Sequence, residues 1–227
     1  AGASLSSIVR TIVFGRSGNN LISRPVATAT GADDRLAIAD TGCRCVHLYI
    51  PAERKYLKLY AGGPDEMRSP VGVTFDDELR LYVSDSARGA IDVFDSRGAF
   101  VFSLKKAGDA PLKRPTGLAC SPKKKTVFAV DSLAHKIYAF NTKGDLLFSF
   151  GERGDKKGQF NFPTHIDVSP SGQLFVTDTM NFRIQSFDAS GGKLMVLDTA
   201  LSVYFWNAAC IRMCHSGVMS WAVTNTR

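Results

Sequence analysis

The chain repeats one pattern four times at a spacing of about 45 residues, a period that belongs to solenoids, propellers and linear arrays. Aligned on proline, the copies begin Arg24-Pro25-Val26, Ser69-Pro70-Val71, Arg114-Pro115-Thr116 and Phe162-Pro163-Thr164. An aspartate follows in each copy, at Asp40, Asp85, Asp131 and Asp178. Six positions later stands a β-branched residue (Val46, Ile91, Ile137, Ile184), and three beyond that an aromatic (Tyr49, Phe94, Phe140, Phe187). Spacing held this constant over four copies identifies a structural unit.

The third copy shows what the unit is. Thr116–Cys120, Thr126–Val130, Ile137–Phe140 and Asp145–Phe150 are short apolar, β-rich runs, separated by polar connectors and ended by Gly151. Short strands bounded by Gly, Pro and Asp at 8–12-residue spacing predict an all-β design. The second strands recur as 35–39, 80–84 and 173–177, and glycine turns before the fourth strands centre on Gly98, Gly144 and Gly191. No copy carries the 3.6-residue period of a helical repeat. Four antiparallel strands per repeat make a propeller blade. Blades stack face to face, so their strands are apolar on both sides, as in 79–83. The blades are expected at about 24–63, 69–108, 114–154 and 162–197, within a propeller domain over 1–198. Residues 8–15 match the fourth strand of a blade and are expected to be the outer strand of a split one, a device that removes an exposed sheet edge.

Bulk properties add limits. Hydrophobic content of 44% and charged content of 22% are ordinary for a globular protein with a full core. The net charge of +7 leaves acidic partners open without demanding them. Five cysteines cannot all pair within one chain, and their spacing is not that of a small disulfide scaffold. No apolar run approaches the roughly 18 residues of a membrane helix, so no membrane span is expected. The sequence starts at Ala1 without a secretory apolar segment, which leaves removal of a targeting segment and a fragment both open.

These residues resemble NHL repeats, the blades of six-bladed β-propellers. Copy four carries the family pattern most fully: 163–168, then 174–179 around Asp178, then Asn181-Phe182-Arg183-Ile184 and Phe187-Asp188. Copy two offers 81–86 around Asp85 and Val93-Phe94-Asp95, and the linker 150–160 is also typical. The resemblance covers roughly residues 8–195 and is closest to bacterial members, which implies an extracytoplasmic setting. The family arginine is kept only at Arg183; Cys45, Ala90 and Lys136 stand in the other copies. Arg183 is expected to pair with Asp178 or the loop backbone.

Six blades at this period need about 270 residues. Four blades and one strand therefore predict an incomplete ring with an exposed blade edge. After Asp198 the pattern stops: residues 199–227 hold no Asp, Glu, Lys or Pro, but both tryptophans and two cysteines. This non-repeat tail is read either as foreign or frame-shifted sequence or as a divergent segment covering an open edge.

Candidate chemistry is sparse. His165 lies in a first strand, but Ala27, Gly72 and Gly117 stand at the matching positions, so no ring of ligands of the kind found in zinc-holding propeller lyases is formed. Cys43-Arg44-Cys45 is a lone pair of cysteines read as two loop thiols, and 210–215 is one residue too long for haem attachment. No catalytic residue, metal ligand or cofactor is expected. Repetition by blade assigns Asp40, Asp85, Asp131 and Asp178 a structural role, holding the second-to-third loop through side-chain to backbone hydrogen bonds.

In a propeller the second-to-third and fourth-to-first loops emerge on one face. That face is expected to present Arg44, Arg88, His135, Lys136, Arg153, Lys156, Lys157, Phe182 and Arg183, with Lys123–Lys125 opposite. The resemblance implies a non-catalytic binding scaffold for protein, peptide or surface ligands. A metal-dependent lyase or lactonase with its site in absent blades, and an RNA-binding module on the basic face, are the alternatives. RNA needs stacking aromatics as well as charge, and only Phe160, Phe162 and Phe182 are available there. Ligand identity, oligomeric state and fused domains are not legible.

Overall fold

The computed structural model describes residues 22–61, 67–121, 125–188 and 194–197. The outer strand expected over 8–15, the turn at Gly191, Lys123 and the tail 199–227 lie outside the described residues.

Four antiparallel sheets of four strands each follow in sequence order. Blade one comprises β1 (Pro25–Thr30), β2 (Leu36–Asp40), β3 (Cys45–Ile50) and β4 (Lys55–Leu59). Blade two comprises β5 (Pro70–Phe75), β6 (Leu81–Asp85), β7 (Ala90–Phe94) and β8 (Phe100–Leu104). A two-residue ladder of β9 (Lys106–Ala107) with β10 (Ala110–Pro111) leads into blade three. Blade three comprises β11 (Pro115–Ser121), β12 (Thr126–Asp131), β13 (Lys136–Asn141) and β14 (Leu146–Phe150). Blade four comprises β15 (Pro163–Val168), β16 (Gln173–Asp178), β17 (Arg183–Asp188) and β18 (Leu194–Leu197), with a 3-10 turn over Thr179–Asn181. The strand content and order expected from the repeat are present, and no helix among the described residues is long and apolar enough to cross a membrane.

Three apolar clusters join the blades in series. Val46 and Leu48 of blade one pack with Val73, Leu81 and Phe94 of blade two. Ile91 and Val93 pack with Leu118, Val127 and Phe140. Phe128 and Ile137 pack with Ile166, Leu174 and Phe187, with Phe160 from the linker between them. Burying both faces of a sheet is what makes the middle strands continuously apolar; all five residues of β6 and of β7 are buried. The first strands line up side by side, β1 on β5, β5 on β11 and β11 on β15, as the inner strands of a propeller do. Among the described residues the blades form an open arc.

The inner strands approach so closely that side chains are excluded. A Cβ on Gly72 would stand 2.1 Å from the Thr116 carbonyl oxygen, and one on Gly117 would stand 2.7 Å from His165 Cα. Two seams are thus set by backbone lying against backbone.

Candidate functional site

The two sequence markers prove to be partners. Each marker proline faces its aspartate across the first two strands: Pro25 with Asp40, Pro70 with Asp85, Pro115 with Asp131 and Pro163 with Asp178. Proline offers no N–H at this point, and the ladder shifts register just beyond it. The aspartate side chain instead collects backbone N–H groups from both sides. Asp40 accepts from Ser23 (2.6 Å), Arg24 (2.9 Å), Gly42 (2.9 Å) and Cys43 (3.0 Å). Asp85 accepts from Arg68, Ser69, Ala87 and Arg88. Asp131 accepts from Lys113, Arg114 and Ala134. All four carboxylates are fully buried. The expected hold on the second-to-third loop is present; the equal hold on the segment before the proline was not anticipated. One carboxylate therefore clasps both the second-to-third loop and the segment before the first strand.

Blade four closes its clasp with side chains. Asp178 accepts from the Asn161 backbone (2.6 Å), Asn181 Nδ2 (2.9 Å), Arg183 Nε (2.8 Å) and Gln185 Nε2 (3.0 Å). The Phe162 N–H goes instead to His135 Nδ1 of blade three (3.2 Å), and the two rings meet edge to face at 4.8 Å. Burial holds His135 below the ordinary imidazole range, which suits a ring nitrogen that accepts a hydrogen bond. Arg183 reaches on to the carbonyls of Asp155 (2.7 Å), Lys156 (2.7 Å) and Gln159 (3.0 Å). Gln185 donates to Gln159 and accepts from Gly158. With Phe160 fully buried beneath it, the basic linker 151–162 is held in one conformation.

Three of the expected contact residues thus face inward. Arg183 is buried and spends its donors on Asp178 and the linker. His135 is buried as the tie between blades three and four. Arg88 turns its guanidinium under the loop to Asp92 on β7 (2.7 Å), where it is 5% exposed; desolvation still holds the Asp92 carboxyl above the usual carboxylate range. Phe160 is no stacking platform, because it is core. Cys45 is the first residue of β3 and buried, not a loop thiol. His165 is exposed on its inner strand, beside Thr164 Oγ1.

What remains outward is compact in kind. Arg44, Arg153, Lys156 and Lys157 are exposed and Lys136 is half-buried. Phe182 is 64% exposed, and beside it in sequence Met180 is 55% and, on the equivalent loop of blade three, Leu133 is 44% exposed. Four residues after each aspartate the backbone turns left-handed: Arg44 (φ 52°), Gly89 (φ 62°), His135 (φ 56°) and Phe182 (φ 52°). Glycine fills that place only once, although it would be the least strained choice. Leu133 and Met180 carry no sequence pattern that marks them as surface residues; their exposure alone does so.

No protein-family model matches the chain. It is 29% identical over 106 residues to the human E3 ubiquitin-protein ligase NHLRC1, covering 47% of this chain and 27% of that one. It is 27% identical over 132 residues to the Drosophila melanogaster protein brain tumor, covering 57% of this chain and 12% of that one. The chain thus spans well under half of the curated relatives it matches. Among solved structures, virginiamycin B lyase from Staphylococcus aureus superposes with a TM-score of 0.64 at 14% identity, over 79% of this chain and 57% of that one. The Kuenenia stuttgartiensis hydrazine synthase superposes with a TM-score of 0.60 at 18% identity, over 80% and 52%. These structures share the fold alone. The serial four-stranded blades and the superposed structures identify the fold as a β-propeller, and the fourfold proline–aspartate clasp and the matched relatives support the NHL type.

Proposed function

We propose that the chain is a non-catalytic binding platform whose loop face on blades three and four takes an acidic protein or peptide segment bearing apolar side chains. The observation that carries this is Phe182, 64% exposed on a left-handed backbone that disfavours any β-carbon. An aromatic kept exposed in a strained conformation is a common mark of a contact residue. Met180 and Leu133 add apolar surface, and Arg153, Lys156 and Lys157 supply a positive rim. Apolar centre with charged rim is the anatomy of a protein interface. The enzymatic name of one relative belongs to a protein of which the chain matches 27%.

The test is selection of peptides from a random display library on the full chain, followed by titration against variants. Acidic, apolar-containing peptides should be selected, and Phe182→Ala with Met180→Ala should weaken them at least about tenfold. Binders indifferent to those substitutions would overturn the assignment. So would oligouridine binding that falls steeply with salt and is lost with Lys156→Ala and Lys157→Ala, which is the signature of an RNA site.

A further inference from the structure

The four clasps differ in what stands beside the carboxylate on the third strand. Register pairs Asp178 with Arg183, Asp131 with Lys136, Asp85 with Ala90 and Asp40 with Cys45. Blade four meets its carboxylate with a guanidinium at 2.8 Å, and blade two brings Arg88 in from the loop. Blade one has Cys45 in the arginine's place and His47 where blade four has Gln185. Cys43, Cys45 and His47 hold their ligand atoms within 4.8 Å of one another. We propose that Cys43, Cys45 and His47 form a zinc(II) site beside Asp40, in which the metal takes the place that a guanidinium takes in blade four.

The geometry is close to what zinc requires. Tetrahedral coordination at ordinary Zn–S and Zn–N lengths puts ligand atoms about 3.3–3.8 Å apart. Cys45 Sγ lies 3.7 Å from His47 Nε2, within that range, while Asp40 Oδ2, 3.2 Å from the same nitrogen, is its hydrogen-bond acceptor. Cys45 and His47 are two apart on β3 and so share a face. Cys43 arrives from the loop, brought back by the left-handed turn at Arg44. The other ring nitrogen, Nδ1, is 2.6 Å from Tyr56 Oη, the outer partner that a metal-bound imidazole customarily has. Without metal, Nε2–H donates to Asp40 and Tyr56 donates to Nδ1. On binding, each thiol gives its proton to solvent, the imidazole proton moves to Nδ1, and the Nδ1–H then donates a hydrogen bond to Tyr56 Oη, whose own O–H turns away. Lys58, paired with His47 across β3 and β4, is exposed and lies outside the ligand set.

Two thiolates and one imidazole select zinc over calcium or magnesium, which want oxygen. The cluster is buried except at Cys43, which is half-buried and marks the way in. Donors of this kind serve here as a cross-link between loop and strand. Three protein ligands leave the fourth position of the zinc to a water entering past Cys43.

The experiment uses the full chain under reductant, with Cys120→Ala, Cys210→Ser and Cys214→Ser to remove the thiols outside the cluster. Cobalt(II) chloride should give thiolate-to-metal charge-transfer absorption and the visible bands of a tetrahedral site, at one equivalent. Zinc chloride should displace cobalt, with sub-micromolar affinity against a chromophoric chelator. Cys43→Ser, in a half-buried loop position, should weaken zinc at least about 100-fold while leaving the circular dichroism unchanged. His47→Gln, which copies blade four, should do the same. Absence of the charge-transfer band, its persistence in Cys43→Ser, or a Cys43–Cys45 disulfide that resists reductant would overturn the proposal.

Discussion

Replacing Asp131 by asparagine tests the clasp most directly, because the side chain keeps its size and loses only charge and one acceptor. Oδ2 accepts one N–H, from Lys113 at 2.7 Å, and Oδ1 accepts two, from Arg114 at 2.9 Å and Ala134 at 3.1 Å. Asparagine will place its carbonyl on the two-donor side. Its amide then meets the Lys113 N–H donor to donor, in a site with no water because Asp131 is fully buried. One charge-assisted hydrogen bond is lost, about 1.5–3 kcal/mol, and a donor is left unmet, about 1–3 kcal/mol. The two surviving bonds weaken as the acceptor becomes neutral. The sum is a loss of about 2.5–6 kcal/mol, against about 0.5 kcal/mol for an ordinary surface change. Urea unfolding gives the total, and native-state hydrogen exchange should show the Lys113, Arg114 and Ala134 amides losing protection first. A loss below about 1 kcal/mol with those amides unchanged would refute the clasp as a stabilising element.

Other outcomes follow from the same geometry. Arg88→Met strands the Asp92 carboxylate and should cost about 3–5 kcal/mol near neutrality. Burial already raises the folded-state pKa of Asp92 above its unfolded value, so the penalty is present above the folded pKa and shrinks as pH falls toward the unfolded one; urea midpoints that fall equally at neutral and mildly acid pH would contradict this. Gly72→Ala drives a methyl to 2.1 Å from the Thr116 carbonyl and should cost at least about 2–3 kcal/mol by thermal unfolding, whereas a neutral result would mean the seam can open freely. Phe182→Gly relieves a left-handed backbone and should leave stability unchanged or raise it by up to about 1 kcal/mol while abolishing peptide binding; a clear destabilisation would show the ring to be packing, not contact surface.

The fold was legible because its punctuation is chemical. Proline, aspartate and glycine end strands for separate reasons, and their spacing placed β11 to β14 within one or two residues. Their partnership was not legible, since nothing along the chain says that Pro115 and Asp131 lie across a ladder from each other. The candidate site fared less well for a related reason. A polar loop residue looks exposed in sequence, yet Arg88 has Asp92 beneath it and Arg183 has three linker carbonyls in reach. His135 likewise serves the next blade. The cluster of Cys43, Cys45 and His47 does leave a signal, an alternation at i, i+2 and i+4 running into a strand, but the two cysteines alone read as a loop pair. Leu133, Met180 and Phe182 show the converse: apolar loop residues carry no pattern of their own, and only their exposure singles them out.

Every carboxylate closes its hydrogen bonds on donors from its own repeat or the short connector before it, 16–18 residues upstream and two or three downstream in the cases of Asp40 and Asp131. The carboxylate contacts of one unit are therefore its own, while the Phe162 N–H of blade four is taken up by its neighbour, at His135. Evolution can exchange a guanidinium for a thiol–imidazole pair in one unit and leave the rest untouched, much as cartridges are swapped in a common housing. Diversity in such an assembly accumulates unit by unit, with the inner glycine seams keeping the housing the same.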